Sequence, residues 1–375
     1  MSSIQSYRPQ YLYFDIQMTN YVSASTLPPQ LRFVETRTIP YLVDPKDYTL
    51  SIIRFQLDTP SLPVFVPEIQ LNQPDPNLTV YSLTLEYDGI TQQQFIEFSP
   101  QDISITIPNG PNPLPDNSSG YYNVFSYQYV IDLVNRTFKR AFENLTASVS
   151  ANQGIMPTEN YPFLSWDTVN NVAILNADVA GYTSGENLIE IYFNNSLYNL
   201  FSSFLAIYEG YNVPFGKNKW MTITNNLAGS NTIQYPIDNN PQTPTYTAVQ
   251  ISQEYSTISL WSPISSIVFT SNTLPIIPTQ LGTPLLYYDS SLNIATSSGA
   301  NFSQIITDMV ANDSLYKPTL VCEPYYPREI DLIGTGDLKT IDINCFYKSK
   351  LGVLQPFVLN SGCSASVKIM FTRKT

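Results

Sequence analysis

The chain has no histidine in 375 residues. Histidine is the side chain best suited to general-base work, proton shuttling and transition-metal binding near neutral pH. Its absence excludes a Ser-His-Asp triad, a Cys-His dyad and any His-ligated zinc or iron site. Charge is scarce as well. Lys and Arg total 18 against 30 Asp and Glu, and charged residues make up 13% of the chain, about half the usual share. The net charge of −12 opposes a nucleic-acid-coating role, which needs a basic face against phosphates. Cysteine is limited to Cys322, Cys345 and Cys363, with no CxxC pair. That pattern excludes a zinc knuckle and a redox pair, and the three read as small buried apolar residues. The start of the sequence is polar, and nowhere do apolar residues run long enough to cross a bilayer. The expectation is a chain made in the cytosol, not exported through a signal peptide and not membrane-spanning.

What is present is aromatic and proline-rich: 27 Tyr, 19 Phe and 29 Pro. Abundant aromatics with little charge argue for a folded chain, because disordered chains are charge-rich and aromatic-poor. Tyr on alternate strand positions has two readings. One is a carbohydrate platform. The other is interface surface, since Tyr gives large amphipathic contact at low entropic cost. Tyr and Pro are spread over the whole chain, which favours the interface. Asn-x-Ser/Thr sequons, as at Asn77, Asn144 and Asn301, read as chance matches in so Asn- and Ser-rich a chain.

The hydrophobic period divides the chain. Leu12, Phe14, Ile16 and Met18 alternate with Tyr13, Asp15 and Gln17, a strand with one buried face. Further strands are expected at Tyr48–Leu57, Leu62–Ile69, around Tyr81–Tyr87 and at Ile103–Ile107. Pro108–Gly120 is rich in Pro and Gly and marks a boundary. Val130, Ile131, Val134, Phe138, Ala141, Phe142 and Leu145 then recur at helical steps, predicting a helix from about Tyr127 to Leu145. A second helix is expected at Ser196–Ile207, capped by Asn195 or Ser196. Pro236–Pro244 marks another boundary. Strands follow at Tyr246–Ser252, Thr257–Trp261, Ile264–Phe269, Glu329–Ile333, Ile341–Tyr347 and Val367–Phe371, with a short helix near Phe302–Val310. The implied organisation is mainly β. Residues 1–107 and 245–375 form the two parts of a single jelly-roll β-sandwich, and 108–244 an inserted α+β lobe with two helices.

Chemistry without histidine falls to carboxylates, Lys, Ser, Tyr or Cys. Asp15, Glu35, Glu68, Glu86, Asp167, Glu254 and Asp331 lie near strands or Trp, but their spacing selects no glycosidase pair. The GlyThrGlyAsp at 334–337 lacks the Lys-Ser/Thr of a phosphate loop and reads as a turn. Arg136, Lys139 and Arg140 cluster on the long helix and read as a solvated face. No catalytic, cofactor-binding or metal-binding residue is assigned, although scattered carboxylates leave Ca²⁺ at a subunit interface open.

Several segments resemble minor capsid (penton-type) proteins of virophages, polinton-like viruses and adintoviruses. They are ArgGluIleAspLeuIle at 328–333, LeuLysThrIleAspIleAsnCysPheTyrLys at 338–348, LeuGlnProPheValLeu at 354–359 and SerGlyCysSerAlaSerValLysIleMetPhe at 361–371. ProIleSerSerIleValPheThrSerAsnThrLeuProIle at 263–276 and ProProGlnLeuArgPheValGluThrArg at 28–37 are similar. The resemblance implies a virion protein: a homopentamer at the five-fold vertices of an icosahedral capsid, beside the major capsid protein of the same virus, with a host receptor as a further possible partner. It implies no cofactor. No ArgGlyAsp occurs, so the integrin route of some related vertex proteins is not supported. The alternatives are a double jelly-roll major capsid protein and a carbohydrate- or receptor-binding β-sandwich.

Overall fold

The alternating segments that open and close the chain pair with each other. A computed structural model describes residues 9–21, 30–70, 73–108, 120–183, 187–209, 218–221, 231–236, 245–281, 286–289, 294–297, 302–310, 319–350 and 354–374. The chain divides into two compact units, Met1–Leu62 with Pro263–Thr375 and, between them, Pro63–Ser262. The first unit opens with β1 (Tyr11–Thr19), β2 (Arg32–Thr36) and β3 (Tyr48–Asp58). The second holds β4 (Leu78–Tyr87), β5 (Ile90–Glu97), α1 (Tyr127–Ala151), β6 (Phe163–Asp167), β7 (Val172–Asp178), α2 (Val179–Tyr182), β8 (Glu190–Phe193), α3 (Asn195–Leu200), β9 (Ala206–Glu209), β10 (Asn218–Met221), β11 (Asn231–Pro236), β12 (Thr245–Ser252) and α4 (Ile258–Trp261). The first unit resumes with β13 (Ile264–Thr270), β14 (Gln280–Leu281), β15 (Leu286–Asp289), β16 (Ile294–Ser297), β17 (Phe302–Ser303), β18 (Ile305–Met309), β19 (Thr319–Cys322), β20 (Ile330–Asp331), β21 (Thr340–Ser349), β22 (Leu354–Pro356) and β23 (Ser364–Arg373).

In the first unit one sheet runs β1-β23-β3-β19 and the other β2-β21-β13-β18, with β20 added to β3 and β22 to β21. The eight principal strands pair as nested shells. First meets last, β1 with β23. Second meets seventh, β2 with β21. Third meets sixth, β3 with β19. Fourth meets fifth, β13 with β18. All are antiparallel, and one long hairpin rolled into two sheets gives this jelly-roll order. The inward residues of β23, Ala365, Val367, Ile369 and Phe371, share a core with Ile341, Ile343, Cys345 and Tyr347 of β21. Phe55 and Phe269 meet edge-to-face at 5.0 Å and join the two sheets. The three cysteines are free and buried, and burial holds the Cys345 thiol well above its ordinary pKa.

The second unit has sheets β5-β4-β8-β10-β9 and β11-β12-β7-β6. The apolar stripe of α1, including Val130, Val134, Phe138, Ala141 and Leu145, lies in their common core. Helix α1 ends where Gln153 takes a left-handed φ of 62° and the N–H of Gly154 returns to the Val149 carbonyl at 2.9 Å. Entry and exit of this unit lie close together, because the rings of Phe65 and Trp261 are 6.4 Å apart.

The expected boundaries at 107/108 and 244/245 differ from the observed division at 62/63 and 262/263. Strands β4 and β12, read from sequence as jelly roll, belong to the inserted unit, as does β5, which the sequence reading did not single out. Period-2 alternation reports one buried face but not which sheet a strand joins, and the Pro-rich segments Pro108–Gly120 and Pro236–Pro244 fall within Pro63–Ser262, almost wholly outside the described residues. The junctions themselves carry single prolines, Pro63 and Pro263. Other local expectations change too. Ile305–Met309 is a strand and Ile258–Trp261 a helical turn. Leu62–Ile69 makes only isolated bridges, Phe65 to Val124 and Ile69 to Thr79. No strand forms at Ile103–Ile107, where Ile103 is exposed. Pro63 and Pro67 remove ladder donors in the first of these segments. The second helix is only Asn195–Leu200, capped by Asn194, whose side chain accepts from the N–H of Leu197 at 2.9 Å.

Phe138 is fully buried and its ring lies 6.0 Å from that of Phe193. Phe138→Ala is expected to destabilise the chain by about 3–5 kcal/mol in denaturant unfolding. Burial pushes Tyr347 up to about 12 and holds Tyr182 well above its ordinary value. Unfolded tyrosine ionises near ~10, so the folded state keeps protons that the unfolded state loses above that pH. The contribution of these tyrosines to stability is therefore full below about pH 10 and lost as pH rises towards 12. Melting temperature against pH should fall across that window, with part of the tyrosinate absorbance appearing only on unfolding.

Candidate assembly surface

The outer face of the β1-β23-β3 sheet follows directly from the alternation read in β1. With Leu12, Phe14, Ile16 and Met18 turned to the core, Tyr11, Tyr13, Asp15 and Gln17 turn outward. The register aligns them in rows with outward residues of β23 and β3. Tyr13 lies opposite Met370, Asp15 opposite Lys368 and Gln17 opposite Ser366. Lys368 and Ser366 lie in turn opposite Arg54 and Gln56.

Tyr11 and Tyr13 are 46% and 53% exposed and their rings stack at 6.4 Å. The Lys368 ammonium sits 5.7 Å from the Tyr13 ring centroid. Arg54 pairs with Asp15, and Asp58 accepts from the N–H and hydroxyl of Ser364 at 2.7 and 2.9 Å. Beside Arg54 lies a shallow depression of about 310 Å³ lined by Asp15, Gln17, Arg54, Gln56, Ser364, Ala365 and Ser366. Its lining is amide, hydroxyl and paired charge, and it has no nucleophile-base pair.

Sheet edges are treated unequally. In the second unit α1 seals two of them. Asn135 donates to the carbonyl of Leu164 at 2.8 Å and accepts from its N–H at 2.7 Å, so both free groups at that point of edge strand β6 are satisfied. Arg140 donates to the carbonyl of Phe95 on edge strand β5 at 2.5 Å. In the first unit the edge strands β2, β18 and β19 are four or five residues long. β1 has nine residues, no Lys, Arg or Pro, and an unbroken register with β23. Among the described residues, nothing is hydrogen-bonded along its outer edge.

The carboxylates weighed from sequence each have their own surroundings. Asp15 pairs with Arg54, Glu35 with Arg37 at 2.8 Å and Asp331 with Lys374 at 2.6 Å. Glu68 neighbours Tyr81, and Glu86 lies in β4 opposite Thr91 and Glu190. Asp167 holds a turn through the N–H groups of Val169 and Asn170. Glu254 borders a small groove with Tyr198 and Tyr255. Among the described residues no group of three His, Cys, Asp or Glu side chains is placed to hold a metal ion. The basic cluster of α1 is neutralised, since Arg136 pairs with Asp132, Lys139 with Glu143 and Arg140 with Glu97. The outer face of β1 was visible in the sequence as alternation. The role of Asn135 was not, because a single polar residue beside an apolar stripe looks like any solvated position.

The sequence matches the model of the family described as Sputnik minor capsid protein V18/19 over residues 12–373. The chain belongs to this minor capsid protein family. It is 30% identical over 155 residues to the V18 protein of Sputnik virophage, covering 38% of the chain and 89% of V18. It is 26% identical over 189 residues to Structural protein V19 of the same virophage, covering 50% of the chain and 82% of V19. The fold is similar to a chain in the cryo-EM structure of Sputnik virophage, with a TM-score of 0.74 and 26% identity, covering 98% of this chain and 99% of that one. It is similar in fold to the mavirus penton protein, with a TM-score of 0.61 and 15% identity, over 98% and 100% of the two chains. The chain is thus a structural component of a virion capsid.

For this minor capsid chain, Asn135→Ala should cost roughly 1–3 kcal/mol, because it leaves the N–H and carbonyl of Leu164 without their partner. Urea unfolding measures the loss, and hydrogen exchange at Leu164 should accelerate locally.

Proposed function

We propose that the chain is a penton subunit, a homopentamer closing the five-fold vertices of an icosahedral capsid beside the major capsid protein of the same virus. Its role is structural, without catalysis. The observation that carries this reading is the single eight-strand jelly roll in nested order, in a chain of the minor capsid protein family. The likeness to the mavirus penton over nearly the whole chain supports the vertex position. A double jelly-roll major capsid protein fits less well, because the second unit holds a helix in the core between its sheets.

The test is the mass of the purified full chain by light scattering. Five copies of the 42.2 kDa chain are expected at high protein concentration. Trimers would overturn the vertex assignment in favour of a major capsid protein.

A further inference from the structure

We propose that the outer face of the β1-β23-β3 sheet, with the outer edge of β1, docks a second copy of this chain. This rests on the pentameric reading and names the surface through which copies meet. In a closed ring the contact is heterologous, so this face meets a different patch on the neighbour.

Charge is the first argument. Each copy carries −12, so copies repel wherever acidic surface meets acidic surface. On this face the charges balance in number, Asp15 and Asp58 against Arg54 and Lys368, with Asp15 paired to Arg54 and Asp58 accepting from Ser364. A face without net charge on an acidic molecule is where a like molecule can approach.

Composition is the second. Stacked, half-exposed Tyr11 and Tyr13 supply apolar area with polar tips, the profile of a contact surface. Gln17, Gln56 and Ser366 line the depression beside Arg54. Each offers an exposed or half-exposed donor and acceptor to an incoming backbone.

The third argument is the contrast of edges. Natural sheets blunt exposed edges with short strands, charge, proline or cover. This chain does so at β2, β18 and β19 by length and at β5 and β6 through α1. Among the described edge strands of the first unit, β1 alone is long, regular and nearly uncharged. An edge that no described residue hydrogen-bonds, beside a neutral aromatic face, suits a partner that arrives in assembly.

The test compares the full-length chain with Q17E/Q56E, which adds two negative charges to the face, and with Q128E/S150E, which adds two to the exposed side of α1. Tyr13→Ser provides an uncharged variant. All four positions carrying the added charges are exposed, so circular dichroism and melting temperature should match the parent. Light scattering over a concentration series is expected to show Q17E/Q56E associating on the order of a hundredfold more weakly. Tyr13→Ser should weaken association as well, and Q128E/S150E should assemble like the parent. Association of Q17E/Q56E at parental concentrations overturns the proposal, as does equal loss in Q128E/S150E. If the parent forms an oligomer other than five and Q17E/Q56E dissolves it, the docking face stands and the pentamer falls. A parent that stays monomeric at every concentration overturns both.

Discussion

The pairing of β1 with β23 is the constraint on which the first unit depends. Nine residues at one end of the chain are registered against nine at the other, Tyr11 with Thr372 through to Thr19 with Ser364. Once that outer pair is fixed, the remaining pairs nest inside it. β23 becomes an inner strand, bonded to β3 on its other side, and its four core residues are almost wholly buried. A one-residue slip would turn Val367, Ile369 and Phe371 outward and bring Lys368 into the core. Strict alternation in both strands therefore specifies the register, and the register specifies which side chains form the outer face.

Scarce charge shapes the rest. Where other proteins spend ion pairs, this chain satisfies buried polar groups with amides and hydroxyls. Asn194 accepts from Leu197 and Ser82 and donates to Val80. Asn135 holds both groups of Leu164. Thr158 and Asn160 donate to the buried carboxylate of Asp178 at 2.5 and 2.7 Å. The exception proves instructive at Asp342, 1% exposed, which receives two bonds from Arg32 at 2.8 and 2.9 Å. A carboxylate there needs a full positive partner, because desolvation disfavours a lone charge.

Legibility in the sequence followed the range of the interactions. α1 was readable because its stripe is periodic over many turns, and the observed helix begins at the expected Tyr127. β1, β3, β21 and β23 were readable from alternation. Partnership was not. β4 and β12 alternate as cleanly as β3, yet they join the insert, since pairing is decided by residues far away in sequence. The short segments failed for local reasons. Ile305–Met309 has too few residues to separate the two periods, and Thr257–Trp261 curls so that Trp261 reaches the core and donates to the Leu200 carbonyl at 2.6 Å. The outer face of β1 was visible as a pattern, but its neutrality appeared only when β3 and β23 were placed beside it.

The Phe65–Trp261 contact bears on how the jelly roll can form at all. Third and fourth strands are separated by the whole of Pro63–Ser262, and every nested pair outside them must close around that stretch. As a flexible chain it would tax loop closure in proportion to the logarithm of its length. With its own core and its two ends held together, it counts as a connector of a few residues. The saving is about 1 kcal/mol of closure entropy for each nested pairing that spans it, taken singly. The topology is one of high contact order, where such closures govern the rate. An insert that folds within itself lets the sandwich search for its partners as though the insertion were short.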